Sequence, residues 1–179
     1  TYQYSINTSN LCLDSIITLP HNNLVLKASK SNDENVTTLN WNAYKNWGMF
    51  DGIYAYNVYR KLDDENYQFY QTISANDTFV DFTNGKDGFT HCYRIEAVQE
   101  GNKSISSWSN EVCLEFNHPV QVYNALTPNN DGLNDNFIVD NIQLYPQNTV
   151  EIYNRWGNLI YSKNLYNNDW DGDKLPDGT

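Results

Sequence analysis

The stretch Val36-Thr37-Thr38-Leu39-Asn40-Trp41 decides the fold class of this 179-residue chain. Successive side chains of a β-strand point to opposite faces of the sheet, so every second residue of the stretch shares a face. Thr37, Leu39 and Trp41 therefore lie on one side, and the intervening residues lie on the other. The pattern predicts a strand with Leu39 and Trp41 on the same face.

Further runs with strand character follow at short spacing. They cover residues 54–60, 67–73, 78–82, 92–98 and 111–115. In the first of these runs Tyr56 and Val58 are predicted to face inward. Turn-forming clusters at residues 63–66 and 84–88 separate the runs. Short strands of this kind predict an all-β fold with a sandwich architecture.

The composition is consistent with a packed and strongly acidic protein. Hydrophobic residues make up 40% of the chain and aromatic residues 15%, which is enough for a core. The formal net charge of −11 repels phosphate backbones and anionic lipid heads, so it disfavours nucleic-acid and membrane-surface binding. No apolar run reaches the length needed to cross a bilayer.

The middle of the chain resembles a fibronectin type III domain. The resemblance is carried by Leu39-Asn40-Trp41 and by residues 56–60, 93–97 and 109–112, which occur in the family's order. It implies that Trp41 and Tyr93 pack in the core. It also implies that residues 21–117 form a domain of a kind that serves as a spacer or a binding module.

A partial internal repeat links the first residues to this domain. Residues 1–6 are similar to residues 90–95, and residues 15–19 are similar to residues 111–115. We therefore expect residues 1–20 to be the remnant of a preceding sandwich module, which indicates an array of such modules in a longer parent protein.

The three cysteines bear on the cellular compartment. On the strand prediction, Cys92 and Cys113 both lie on the outer face of neighbouring antiparallel strands of this fold, where the two thiols can meet. A disulfide between them implies an oxidising compartment. The alternative is a pair of free thiols on an exposed sheet. Cys12 is then left over, with a partner expected in the missing part of the preceding module.

The character of the sequence changes after Pro119. Turn-forming residues become dense, and several short motifs recur in a fixed order. They are residues 126–135, 145–146, 152–157, 170–172 and 175–179. The stretch from 150 to 161 predicts a β-hairpin with Gly157 in its turn.

Together these motifs resemble the gliding-motility-associated C-terminal domain of Bacteroidetes, the type B sorting domain of the type IX secretion system. The resemblance implies that residues 118–179 form a small β-sandwich that acts as an export signal. Its implied partners are the type IX translocon and a PorP/SprF-type outer-membrane protein, and its implied location is the cell surface or the medium. The family pattern continues past Leu175-Pro176-Asp177-Gly178-Thr179, so we expect this domain to lack its last strand.

The candidate site residues are those of the motifs. They are Pro128, Asn129, Asp131, Gly132, Asn134, Asp135, Arg155, Trp156, Gly157, Trp170, Asp171 and Gly172. The oxygens of Asn129, Asp131, Asn134 and Asp135 have a spacing suited to calcium, although the loop lacks the distal bidentate Glu of an EF-hand. The alternative is a tight loop whose side chains bond their own backbone. Trp156 and Trp170 are expected to pack in the core or against the hairpin.

Catalysis is not expected. His21, His91 and His118 are scattered and show no metal-binding spacing, and phosphate loops and nucleophile elbows are absent from the sequence. The leading interpretation is therefore the C-terminal secretion signal and stalk of an adhesin-like protein. The rival is a carbohydrate-binding module attached to a secreted enzyme, with Trp156 and Trp170 as stacking platforms.

Overall fold

The computed structural model describes residues 2–9, 15–17, 20–45, 52–85, 87–123 and 125–172. The chain forms two compact units, an N-terminal unit of Thr1–Phe116 and a C-terminal unit of Asn117–Thr179. Two sequence predictions, a partner for Cys12 in a preceding module and the motif at 175–179, lie outside the described residues.

The N-terminal unit is built from strands alone in its described part. These are β1 Gln3–Tyr4, β2 Asn7–Ser9, β3 Ser15–Ile17, β4 His21–Asn22, β5 Leu26–Lys30, β6 Val36–Trp41, β7 Ile53–Leu62, β8 Gln68–Ser74, β9 Phe79–Thr83, β10 Thr90–Gln99, β11 Ser106–Trp108 and β12 Val112–Glu115. Strand β1 pairs with β4, and β2 pairs with β3. The remaining strands form two antiparallel sheets.

One sheet has the order β5-β6-β9, and the other has the order β11-β10-β7-β8 with β12 also pairing with β10. This strand order is that of a fibronectin type III-like sandwich, and it confirms the all-β prediction. The alternation in the opening stretch is confirmed as well, because Thr37, Leu39 and Trp41 are all buried. Trp41 packs edge-to-face against Tyr56, with ring centroids 5.4 Å apart.

The side chains implied by the family resemblance also lie in this core. Tyr93 is buried beside Ile95 on β10, and Val58 faces them from β7. The sequence did not predict β5, since only Leu26 is fully buried in it and Ala28 is partly buried. A strand with so few buried side chains has little hydrophobic periodicity to detect.

Cys92 and Cys113 are joined by a disulfide on the outer face of the larger sheet. The pairing of β10 with β12 places the two residues directly opposite each other. Cys92 is nevertheless only 3% exposed, so position on the outer face of the sheet does not mean exposure to solvent here.

The C-terminal unit is smaller, and its described strands are short. These are β13 Gln121–Val122, β14 Val139–Asp140, β15 Thr149–Tyr153 and β16 Leu159–Asn164, with a single 3-10 turn at Ile142–Leu144. Strand β13 pairs with β14, and β15 pairs with β16 in the predicted hairpin. Val139, Ile142, Tyr166 and Trp170 form its core. Across the described residues, no helix is long and apolar enough to cross a membrane.

Candidate functional site

The motif loop, residues 126–136, is organised around one carboxylate. Asp135 Oδ1 accepts the backbone N–H groups of Asn129 at 3.2 Å and Asn130 at 2.7 Å, and its Oδ2 accepts that of Gly132 at 2.8 Å. The loop ends are tied together because the Thr127 N–H donates to the Asn134 carbonyl at 2.8 Å. The loop therefore holds its shape through its own polar groups.

A second carboxylate reinforces the same loop. Asp131 Oδ1 accepts the N–H of Leu133 at 2.8 Å, and its Oδ2 accepts the side-chain amide of Asn129 at 2.9 Å. These bonds, the backbone N–H first and the Asn129 amide second, hold the pKa of Asp131 below its ordinary value of 3.8. Of the four calcium candidates, Asn129, Asp131 and Asp135 thus accept backbone N–H groups of their own loop, as in the alternative interpretation of the loop.

Residue types in the loop match its backbone. Asn130, Gly132 and Asn134 have positive φ angles of 65°, 85° and 52°. Asn and Gly tolerate this left-handed conformation better than other residues do. Every second residue of Asn-Asp-Gly-Leu-Asn, positions 130–134, therefore has a positive φ and is of a type that tolerates it.

The motif loop borders a polar cavity of about 490 Å³. Its lining is formed by Pro128, Asn129, Asn130, Asp135 and Asn136, together with Asp171 and Gly172. Two motifs that are 35 residues or more apart in sequence are therefore neighbours in space. Of the four calcium candidates, Asn129 and Asp135 line this cavity.

Trp170 connects that cavity to the hairpin. It is 7% exposed, and its ring stacks on that of Tyr161 with centroids 4.7 Å apart. Its carbonyl accepts the N–H of Phe137 at 2.7 Å, which fixes the segment leading to Asp171 beside the loop. Trp170 is thus a core residue, as expected from the sequence.

The hairpin tip, residues 154–158, is held by Asn154. The side-chain oxygen of Asn154 accepts the N–H groups of Trp156 at 3.0 Å and Asn158 at 2.9 Å. Gly157 takes a positive φ of 80°, as a tight turn requires. Sequence reasoning did not single out Asn154, although an Asn at the start of a turn is its usual signal.

Trp156 differs from the sequence expectation. It was expected to pack against the core or the hairpin, but it is 66% exposed. The Arg155 guanidinium carbon lies 4.8 Å from the centroid of the Trp156 ring. A backbone held by Asn154 turns the indole outward, away from the core that Trp170 fills.

Two further residues hold the unit together and carry no motif signal. Asn148 donates its side-chain amide to the Tyr145 carbonyl at 2.8 Å and accepts the Tyr166 N–H at 2.7 Å. Tyr166 donates its hydroxyl to the Phe137 carbonyl, and burial raises the pKa of that phenol. The contacts of Tyr166 with Asn148 and Phe137 join residues 18 and 29 positions apart in sequence, so they form only in the folded unit.

Comparison with known proteins addresses the C-terminal unit directly. Residues 120–179 match the family model described as CHU_C, type IX secretion signal domain, which is about a third of the chain. None of the curated proteins matches the chain.

Solved structures are similar to the chain at low TM-scores. Pectate lyase PelI from Erwinia chrysanthemi in complex with tetragalacturonic acid matches 51% of this chain and 28% of its own, at 17% identity and a TM-score of 0.41. An Fn3-like protein from Clostridium thermocellum matches 51% of this chain and 88% of its own, at 26% identity and a TM-score of 0.40. The chain spans only 28% of the pectate lyase, and TM-scores of this size carry no functional argument. The family match, by contrast, covers every described motif of the C-terminal unit: residues 120–179 match the type IX secretion signal domain, and a fibronectin type III-like unit precedes them.

Proposed function

We propose that the C-terminal unit is a folded export signal that docks onto the type IX translocon through a PorP/SprF-type outer-membrane protein. The coarser statement rests on the family match, since a type IX secretion signal implies recognition by that secretion system and export across the outer membrane. The identity of the docking protein and the final location at the cell surface are the proposed parts.

One structural observation carries the proposal. The segment from Trp170 to Gly172 contributes both to the polar cavity of the motif loop and to a groove beside the hairpin tip. The motif loop, residues 170–172 and the hairpin tip are therefore neighbours on this unit, whereas Tyr145 and Pro146 line a separate cavity. A translocon that recognises a folded surface is favoured by such an arrangement, because motifs already held together by the fold lose less conformational entropy on binding than the same motifs in an unfolded chain.

The N-terminal unit is proposed to act as part of a stalk in an adhesin-like parent protein. Its two antiparallel sheets and its disulfide support this role, because a cross-linked sandwich resists unfolding outside the cell. The proposal assigns no catalytic chemistry to either unit.

The test is export of a fluorescent cargo that carries the full chain at its C terminus, in a bacterium with a type IX system. Removal of residues 117–179 is expected to keep the cargo inside the cell. The matched control removes residues 1–116 and keeps the C-terminal unit, and it should leave export in place. Equal extracellular fluorescence with and without residues 117–179 would contradict the proposal.

One observation supports the rival function, carbohydrate binding, and another opposes it. Trp156 is exposed as a stacking residue must be, whereas Trp170 is buried and cannot present a ring face to a sugar. Retention of the chain on a glycan array, abolished by Trp156→Ala and accompanied by no export, would favour the rival.

A further inference from the structure

Three aromatic side chains, here called the aromatic row, cross the outer face of the larger sheet of the N-terminal unit. Trp108 lies on β11, Tyr59 on β7 and Phe69 on β8. The ring centroids of Trp108 and Tyr59 are 4.9 Å apart, and those of Tyr59 and Phe69 are 5.9 Å apart. Trp108 is 48% exposed and Phe69 is 57% exposed. Apolar side chains scattered singly on a surface need no explanation, but a continuous row of them marks a candidate binding surface.

A chain of hydrogen bonds holds a carboxylate beside the aromatic row. Glu96 lies directly opposite Trp108 in the pairing of β10 with β11. Its Oε2 accepts the side-chain amide of Asn57 at 3.1 Å and the hydroxyl of Tyr59 at 3.2 Å. The Thr72 hydroxyl in turn donates to Asn57 Oδ1 at 2.9 Å. Both bonds to Glu96 end on the same oxygen, so Oε1 is available to accept a hydroxyl from a ligand.

The charged side chains that follow the row along the sheet balance each other. Arg94 and Lys61 both lie close to Glu111 Oε2, with N···O distances of 3.4 Å and 3.5 Å. The Arg94 guanidinium also lies over the Tyr67 ring, 4.8 Å from its centroid. With Glu96 included, two carboxylates accompany two cations, and the whole chain carries a net charge of −11. This surface therefore does not attract an anion, and an uncharged ligand fits it best.

The area of the aromatic row is too small for a protein partner. A large aromatic side chain covers roughly 150–250 Å², so two rings about half exposed, with part of Tyr59, offer on the order of 200–300 Å². A specific protein–protein interface buries about 800 Å² on each side. The rings are also not coplanar, because the Tyr59 ring is inclined at 51° to Trp108 and at 82° to Phe69. Both features favour a chain of small rings that follows a bent surface.

We propose that the aromatic row binds a neutral glycan chain. A pyranose ring has an apolar face of C–H groups, which packs on an aromatic ring, and a rim of hydroxyls, which bond carboxylate and amide groups. Sugar rings pack on Trp108 and Phe69, and a hydroxyl donates to Glu96. This inference goes beyond the stalk role, because it gives the N-terminal unit a ligand of its own, and it does not depend on export.

Electrophoresis of the purified chain in native gels that contain a soluble polysaccharide tests the proposal. The neutral probes are glucomannan, xyloglucan and arabinoxylan, and the anionic probe is alginate. We expect at least one neutral probe to retard the parent chain. Trp108→Ala and Phe69→Ala should each weaken that binding at least about tenfold, as loss of an anchoring aromatic residue does. Glu96→Gln keeps an acceptor oxygen, so its loss should be smaller than that of either ring variant.

Two variants serve as matched controls. Phe79→Ala removes a phenyl ring that is 58% exposed, as Phe69 nearly is, but that lies on β9 of the other sheet. Trp156→Ala removes an exposed indole from the C-terminal unit. Both variants should bind like the parent chain, and all variants should melt like it. If Trp108→Ala melts early, Trp108→Phe takes its place, and the smaller ring should give an intermediate affinity.

Several results would overturn the proposal. One is the absence of retardation by every neutral probe, and another is retardation by alginate alone. An equal loss for Phe79→Ala and Phe69→Ala would show that binding does not depend on the row. Loss of binding in Trp156→Ala, with Trp108→Ala unaffected, would place the sugar site on the C-terminal unit instead. Self-association that Trp108→Ala abolishes, without glycan binding, would assign the row to a second copy of the chain.

Discussion

Asp135 Oδ2 accepts the backbone N–H of Gly132 at 2.8 Å, and this bond joins the apex of the motif loop to its end. The other oxygen of the same carboxylate accepts two more N–H groups, so one side chain fixes three backbone positions, 129, 130 and 132. Loop shape in this unit is therefore sensitive to a single residue.

Asp135→Asn is expected to destabilise the C-terminal unit. An amide keeps one acceptor oxygen and presents an NH₂ group to the other N–H donors, which leaves at least one donor without a partner. We expect the free energy of unfolding to fall by about 1–2 kcal/mol, measured by urea denaturation. Asn136→Ala is the matched control and should unfold like the parent. Equal stability of Asp135→Asn and the parent would show that the carboxylate does not organise the loop.

Gly157→Ala tests the backbone of the hairpin tip. The space around Gly157 is open, so an added methyl group meets no neighbour within 4 Å, and the positive φ of 80° is the remaining cost. A left-handed alanine is less stable than glycine by about 1 kcal/mol. Thermal melting should show that loss, and Gly157→Asn should show a smaller one because Asn tolerates this region. A larger loss for Asn than for Ala would contradict the assignment to backbone strain.

The acid stability of the C-terminal unit should depend on Asp131. Its pKa in the folded chain lies below the ordinary value of 3.8, so folding favours the ionised form. The resulting stabilisation is complete above pH 3.8 and is lost as the pH falls through the lower folded pKa. Denaturation series between about pH 5 and pH 2 should therefore show a shallower decline for Asp131→Asn than for the parent. Parallel curves would mean that the two N–H donors do not stabilise the carboxylate.

Reduction of the disulfide should weaken the N-terminal unit alone. Cys92 and Cys113 are separated by 21 residues, and closing a loop of this length contributes about 3 kcal/mol. The double replacement of both cysteines by Ser should lower the unfolding transition of this unit, measured in guanidinium, and should remove its response to dithiothreitol. An unaltered transition after reduction would show that the cross-link is not a source of stability.

Calcium dependence of the motif loop is decided by chelation. The carboxylate oxygens of Asp131 and Asp135 already accept N–H donors, so the loop has an internal source of order. We expect dialysis against EDTA, followed by thermal melting, to leave the melting temperature unchanged. A fall that added calcium reverses, and that added magnesium does not, would instead support the calcium prediction.

The fold class could be predicted from the sequence. Alternation along Val36-Thr37-Thr38-Leu39-Asn40-Trp41 is a property of the strand itself, and it correctly places Thr37, Leu39 and Trp41, which are all buried, on one face. Hairpin β15–β16 could also be predicted from the sequence, because Gly157 marks a turn between two apolar runs. Strands β13 and β14 are two residues each and have no period to detect.

Local chemistry determined the parts of this protein that the sequence alone could specify. Alternation sets the faces of a strand, and Gly and Asn permit a positive φ. A carboxylate a few residues away accepts hydrogen bonds from the loop backbone. Each of these features depends only on near neighbours in the chain. Only tertiary structure decided that Trp170 is buried while Trp156 is exposed, although both sit in similar aromatic and polar surroundings in sequence. The difference arises because Asn148 and Tyr166 bond segments up to 29 residues away and bring Trp170 against Tyr161, whereas the bonds of Asn154 turn Trp156 outward. Burial is a property of what the folded chain places nearby, and that placement depends on long-range contacts.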